Sequence, residues 1–125
     1  MRLLLDTHIY LWWLQDNRKL SKAGRAKILA ADEVFVSSAS IWEASIKAGL
    51  GKLDVDIDAL VAEIPKSGFI ELPLSALHAA RLARLPNIHR DPFDRILIAQ
   101  AMSEPLRFVT MDAMLQSYSD LVEVV

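Results

Sequence analysis

The sequence predicts one α/β domain with a mainly parallel sheet covered by helices on both faces. Three observations predict it. Five short apolar runs alternate with longer amphipathic ones. Acidic residues fall just after the ends of several of those runs. The 125 residues contain no repeat, low-complexity tract or linker, so residues 1–125 read as a single domain.

The strand candidates are Leu3-Leu4-Leu5, Val34-Phe35-Val36, Phe69 to Leu72, Arg107 to Thr110 and Leu121 to Val125. Each is short and apolar, and turn or polar residues close the first four: Asp6-Thr7-His8, Ser37-Ser38, Pro73 and Asp112. The helix candidates are Ile9 to Leu14, Ser21 to Ala31, residues 40–48, Ile57 to Ile64, Ser75 to Leu85, Pro92 to Met102 and Met111 to Tyr118. Ser21 suits an N-cap, Gly49 and Gly51 punctuate the third helix, and Pro86 ends the fifth. Strand–helix alternation of this kind demands crossover connections and a sheet of four or five mostly parallel strands. Trp12, Trp13 and Trp42 are expected mainly in the core, and His78 on a helix surface.

Composition excludes several classes. An apolar share of 53% with 24% charged residues is that of a folded chain. The absence of cysteine removes disulfides, thiolate metal sites and a cysteine nucleophile. No apolar run approaches the roughly 20 residues of a membrane helix, and no targeting segment stands out, so a cytoplasmic setting is expected. A net charge of −2 argues against binding nucleic acid through a broad basic surface.

The carboxylates are the informative residues. Asp6 follows the first strand, Glu43 opens the helix after the second, Asp91 and Asp94 open the Pro92 helix, and Asp112 follows the fourth strand. In a parallel sheet the C-terminal strand ends share one edge, and ligands bind in the crevice outside it. Each acid also has a local reading. Asp6, Asp91 and Asp112 suit helix N-caps. Ser40-Ile41-Trp42-Glu43 fits a capping box, and Glu43 can pair with Lys47 one turn on. Their shared placement at one edge favours a cation site. An all-oxygen donor set suits a hard ion such as Mg²⁺ or Mn²⁺, and such a site is the equipment of phosphodiester hydrolysis.

These residues resemble those of the PIN-domain ribonucleases, specifically the VapC-type toxins of toxin–antitoxin pairs. The resemblance rests on Leu3-Leu4-Leu5-Asp6-Thr7-His8, on Ser40-Ile41-Trp42-Glu43 with Lys47, Gly51, Lys52 and Leu53, on His89 through Ala101, and on Phe108-Val109-Thr110-Met111-Asp112. It implies a three-layer α/β/α fold and a Mg²⁺- or Mn²⁺-dependent endoribonuclease cutting RNA, often tRNA or ribosomal RNA. It implies two protein partners, a small antitoxin and a second copy of the chain in a homodimer or higher oligomer. By motif, Asp6, Glu43, Asp94 and Asp112 take the catalytic and metal-holding positions, with Asp91 as an alternate ligand. An N-cap side chain is spent on backbone N–H groups, which assigns Asp91 to structure and Asp94 to the ion. Thr7 and Thr110 are expected to orient carboxylates or water. Arg90, Arg95 and Lys47 are the candidate contacts to RNA phosphate, with Lys52 beside them on the rim and His89 a weaker candidate. The competing reading is a PIN-like module that binds RNA or protein without cutting.

Overall fold

A computed structural model describes residues 1–125. Along the chain lie β1 (Arg2–Leu5), α1 (Thr7–Gln15), α2 (Lys22–Ala30), β2 (Glu33–Ser37), α3 (Ser38–Gly49) and α4 (Ile57–Lys66). There follow β3 (Ile70–Leu72), α5 (Ala76–Leu82), α6 (Pro92–Ser103), β4 (Arg107–Thr110), a 3₁₀ turn (Ala113–Ser117) and β5 (Val122–Val124). All five strands are parallel, in the order β3-β2-β1-β4-β5. The expected sheet is therefore present with its larger strand count and no antiparallel member.

The central strand explains the layering. Leu3, Leu4 and Leu5 are all fully buried, because successive side chains enter opposite helical layers. On one face Leu4, Phe35 and Phe108 pack with Leu97, Ala101 and Leu85, the layer of α5 and α6. On the other, Leu3, Leu5, Val36 and Val109 pack with Ile9, Tyr10, Ala44, Leu60 and Ile64 from α1, α3 and α4. The strand order also reverses beside β1. The chain builds outward through β2 and β3, then returns to lay β4 on the opposite side. The gap between the ends of β1 and β4 is the switch point where such sheets form their ligand crevice.

Four local expectations change. The capping box at Ser40 does not form: Ser37 is the N-cap of α3, its hydroxyl accepting from the Ala39 N–H. Ser40 and Glu43 thus lie inside the helix, where both are buried. His78 is buried rather than on a helix surface, at 4% exposure. Its Nδ1 accepts from the Ser75 N–H, and its Nε2 lies 2.6 Å from Glu104. Gln100 stands beside it, linked in turn to the Ser37 hydroxyl at 2.5 Å. A short polar chain therefore ties the end of β2 to α5 and α6, which apolar periodicity does not reveal. Trp42 is 57% exposed, with its ring edge on Phe93 of α6. The segment after β4 forms a 3₁₀ turn rather than an α-helix, capped by Asp112.

Two side chains test this packing. Leu97 is fully buried, so Leu97→Ala should cost about 3 kcal/mol by urea unfolding. The Tyr10 hydroxyl donates to the Leu60 carbonyl of α4 at 2.7 Å, within the same helical layer. Tyr10→Phe should cost about 1 kcal/mol in the same measurement.

Candidate active site

The site is built from the ends of β1 and β4 and the starts of α1, α3 and α6. Asp6 leaves β1 at the sheet edge, with its backbone N–H bonded to the Val109 carbonyl of β4. It occupies the N-cap position of α1, yet its side chain makes no capping bond. Instead Asp6 Oδ2 accepts from the Thr110 hydroxyl at 2.7 Å. The same hydroxyl accepts from the Asp112 N–H at 3.1 Å. Thr110 thus holds two acidic segments at once, through a threonine at the last position of a buried strand.

Glu43 projects from the second turn of α3 and is 3% exposed. Its Oε2 accepts from Lys47 Nζ at 2.7 Å, the expected one-turn pair. Its Oε1 is buried with no hydrogen-bond partner. Such an atom is costly to leave bare, and its position in an acidic cleft fits a cation ligand. Asp91 caps α6, accepting from the Phe93 N–H at 2.8 Å and the Asp94 N–H at 3.4 Å. Asp94, in the first turn of that helix, has Oδ2 at 2.9 Å from His89 Nε2. Asp112 accepts from the Met114 N–H at 3.0 Å, so it is also a cap.

Asp6, Glu43, Asp91, Asp94 and Asp112 all line one cleft of about 280 Å³, with Thr110, Lys47, His8 and Trp12. At its edge His89 joins Asp94 and Asp112 in a group whose ligand atoms lie within 4.8 Å of one another. Other expected residues lie away from the acids. Thr7 is buried but donates to the Ser40 hydroxyl rather than to a carboxylate, so it ties α1 to α3. Arg95 reaches back to the Leu82 and Leu85 carbonyls beneath α5 and does not line the cleft. Arg90 is exposed and lies outside the lining, as does Lys52. Of the expected cationic contacts only Lys47 borders the acids.

His89 is the residue whose closeness to the acids sequence reasoning undervalued. It sits in the irregular stretch before α6, where no periodicity applies. Only the tertiary fold brings it in, because its backbone N–H donates to the Tyr118 hydroxyl at 2.8 Å. The Tyr118 hydroxyl comes from the far end of the chain.

Burial and mutual repulsion set the electrostatics. Burial pushes the Asp6 carboxyl above the usual range, against the lowering bond from Thr110 and the charge of His8, while Glu43 raises it further. Burial also raises Asp94, to about 7, with the charges of Asp6 and Asp91 adding and His89 opposing. The bond to Glu43 raises the Lys47 ammonium, and Asp91 and Asp94 contribute. A group of carboxylates pressed together in this way is under strain that a divalent cation relieves.

A doubly covered parallel sheet with an acidic cleft at its switch point defines an α/β protein that presents carboxylates to a ligand at one sheet edge. The sequence matches the PIN-domain family over residues 3–121, and the chain belongs to that family. It is 31% identical to Ribonuclease VapC22 of Mycobacterium tuberculosis over 120 residues, 92% of this chain and 90% of that protein. The fold is shared with VapBC2 of Rickettsia felis, solved bound to a DNA fragment from its promoter. That likeness has a TM-score of 0.72 and 17% identity, over 99% of this chain and 98% of the other. It is shared too with the DNA-bound VapBC of Salmonella typhimurium, with a TM-score of 0.70 and 15% identity, over 100% and 97% of the two chains.

The raised Asp94 carboxyl has a consequence for stability. Between about pH 4 and 7 the folded chain holds a proton there that the unfolded chain releases. That contribution is present at the low end of the window and is lost as pH rises through 7. Without divalent ions, Asp94→Asn should therefore gain on the wild type as pH rises from about 4 to 8. Thermal melting in EDTA checks it, and a pH-independent difference between the two would contradict the assigned strain.

Proposed function

We infer that this PIN-domain protein is a divalent-cation-dependent endoribonuclease and the toxin of a VapBC-type pair. The observation that carries the reading is the unpartnered, buried Oε1 of Glu43 in a cleft shared with Asp6, Asp94 and Asp112. The kinship with a protein named as a ribonuclease of the VapC type supports the same activity. Asp6, Glu43 and Asp94 would hold Mg²⁺ or Mn²⁺, with Asp112 at the margin and Asp91 retained as the cap of α6. The cation, when bound, lowers the pKa of water and offsets charge on the phosphoryl oxygens. Hydrolysis joins a water oxygen to phosphorus and releases the 3′-oxygen of the preceding nucleotide as a hydroxyl.

The chain's own residues prepare this reaction. Thr110 fixes the rotamer of Asp6 through one short bond, and the Val109 carbonyl fixes its backbone. His89 orients Asp94, and Tyr118 in turn anchors the backbone of His89. The alternative of a non-cutting scaffold is disfavoured by the complete acidic set. A module that only bound RNA would gain from losing carboxylates that repel phosphate.

We further propose an antitoxin partner and self-association. The similar folds from Rickettsia felis and Salmonella typhimurium are VapBC assemblies, which supports the first. No helix of this chain is long and apolar enough to cross a membrane. Trp42, Ile46 and Leu50 stand along α3 at one-turn spacing with 57%, 40% and 64% exposure, which supports a protein-covered face.

Two measurements test the activity. Asp6→Asn should lower Mg²⁺-dependent cleavage of RNA at least about a hundredfold, with circular dichroism unchanged. Wild-type cleavage by both Asp6→Asn and Asp94→Asn would overturn the reading. Millimolar Mg²⁺ or Mn²⁺ should raise the melting temperature of the wild type, because the ion binds only the folded cluster. The rise should shrink sharply in Asp6→Asn, and calorimetry showing no rise in the wild type counts against the site.

A further inference from the structure

Every carboxylate in the cleft has one oxygen already taken by a donor of the protein. Asp6 Oδ2 is held by Thr110, Glu43 Oε2 by Lys47 and Asp94 Oδ2 by His89. Asp91 Oδ1 and Asp112 Oδ1 are held by backbone N–H groups at the starts of their helices. Sites that hold two divalent ions place them roughly 3.5–4 Å apart. At that separation a carboxylate spans the pair by giving one oxygen to each ion. Here each carboxylate keeps one oxygen without a protein donor, and the other shares its lone pairs with one, which weakens it as a bridge.

Lys47 is the other half of the arrangement. It lies one turn beyond Glu43 on the same rigid helix, so its bond needs no other element to move. It is the cleft's one lysine or arginine, and the charges of Asp91 and Asp94 both act on it. Its ammonium supplies a fixed positive charge on the Glu43 side. The remaining Glu43 oxygen is the bare Oε1, which a single cation would complete.

Resting on the nuclease reading above, we propose that Lys47 stands in for a second metal ion, so that the cleft takes one divalent cation per chain. Asp6, Glu43 and Asp94 would hold the ion through their oxygens without a protein donor, and Lys47 would provide the second positive charge. Removing the ammonium frees Glu43 Oε2, gives that carboxylate two available oxygens, and deepens the negative potential of the cleft. Both changes favour a second ion.

The test is a count of bound Mn²⁺ on the full chain, by electron paramagnetic resonance of free ion and by titration calorimetry. The wild type should bind one Mn²⁺ per chain, Lys47→Met should bind two, and Lys47→Arg should return to one. Two ions on the wild type would overturn the proposal, and this outcome does not depend on any variant folding. A folded Lys47→Met that still binds one ion would overturn it equally. RNA cleavage by the wild type is measured in parallel. Two bound ions with cleavage intact would sink the role of Lys47 and leave the nuclease standing, whereas no cleavage and no ion would sink both.

Discussion

Holding several carboxylates in a partly dehydrated cleft at the end of a parallel sheet is the constraint on which this structure turns. Asp6 is 9% exposed and Glu43 is 3% exposed. Charge brought out of water is unfavourable unless a partner is supplied, and like charges at close range compound the cost. The protein offsets part of it with donors placed one per carboxylate: a threonine hydroxyl, a lysine, a histidine and helix-terminal N–H groups. The other part is left open, and the raised carboxyls of Asp6 and Asp94 register it. That residual strain would favour the proposed cation and would tie its binding to the stability of the fold.

The sheet makes such crowding possible. Its all-parallel order sends every strand end to one edge, and the reversal beside β1 leaves a gap there. Strand ends are rigid because the strands themselves are buried in two apolar layers. Asp6 and Thr110 therefore face each other across neighbouring strands with little freedom, while Glu43 arrives on the second turn of α3 and Asp94 on the first turn of α6, helices that pack against the sheet. An acidic group mounted on loops would relax by spreading apart. This one does not, because separating its members would mean disrupting the core.

The organisation also reconciles a mildly acidic chain with the proposed RNA substrate. The negative charge is concentrated where an ion would neutralise it, and Lys47 begins that neutralisation from within. Some basic side chains elsewhere are engaged in other work, as when Arg95 reaches the carbonyls beneath α5 or Arg107 reaches the Asp120 carbonyl. Contact with RNA is accordingly expected at the metal rather than across a broad surface. The apolar stripe of Trp42, Ile46 and Leu50 lies on the helix that carries Glu43, so a protein bound there would sit close to the site.

The strands, the helices and the list of acids were legible in the amino-acid order, because short apolar runs, caps and helix breakers are local signals. The placement of Asp6, Glu43, Asp91, Asp94 and Asp112 after strands or at helix starts was enough to expect them on one edge. The role of Asp91 as a cap could be argued from its place before Pro92. What could not be read was long-range. Glu43 belongs inside α3 because Ser37, three residues before Ser40, takes the cap. His89 reaches Asp94 because Tyr118, 29 residues away, holds its backbone. Arg95, beside Asp94 in sequence, is turned about 100° around the helix from it and reaches the Leu82 and Leu85 carbonyls instead. The buried chain through Ser37, Gln100 and His78 joins three elements that share no local pattern. Sequence by itself determined which chemistry was available and roughly where each acid would emerge. Only the tertiary structure decided which oxygen of each carboxylate is spent and which remains free, since that depends on donors contributed across the fold.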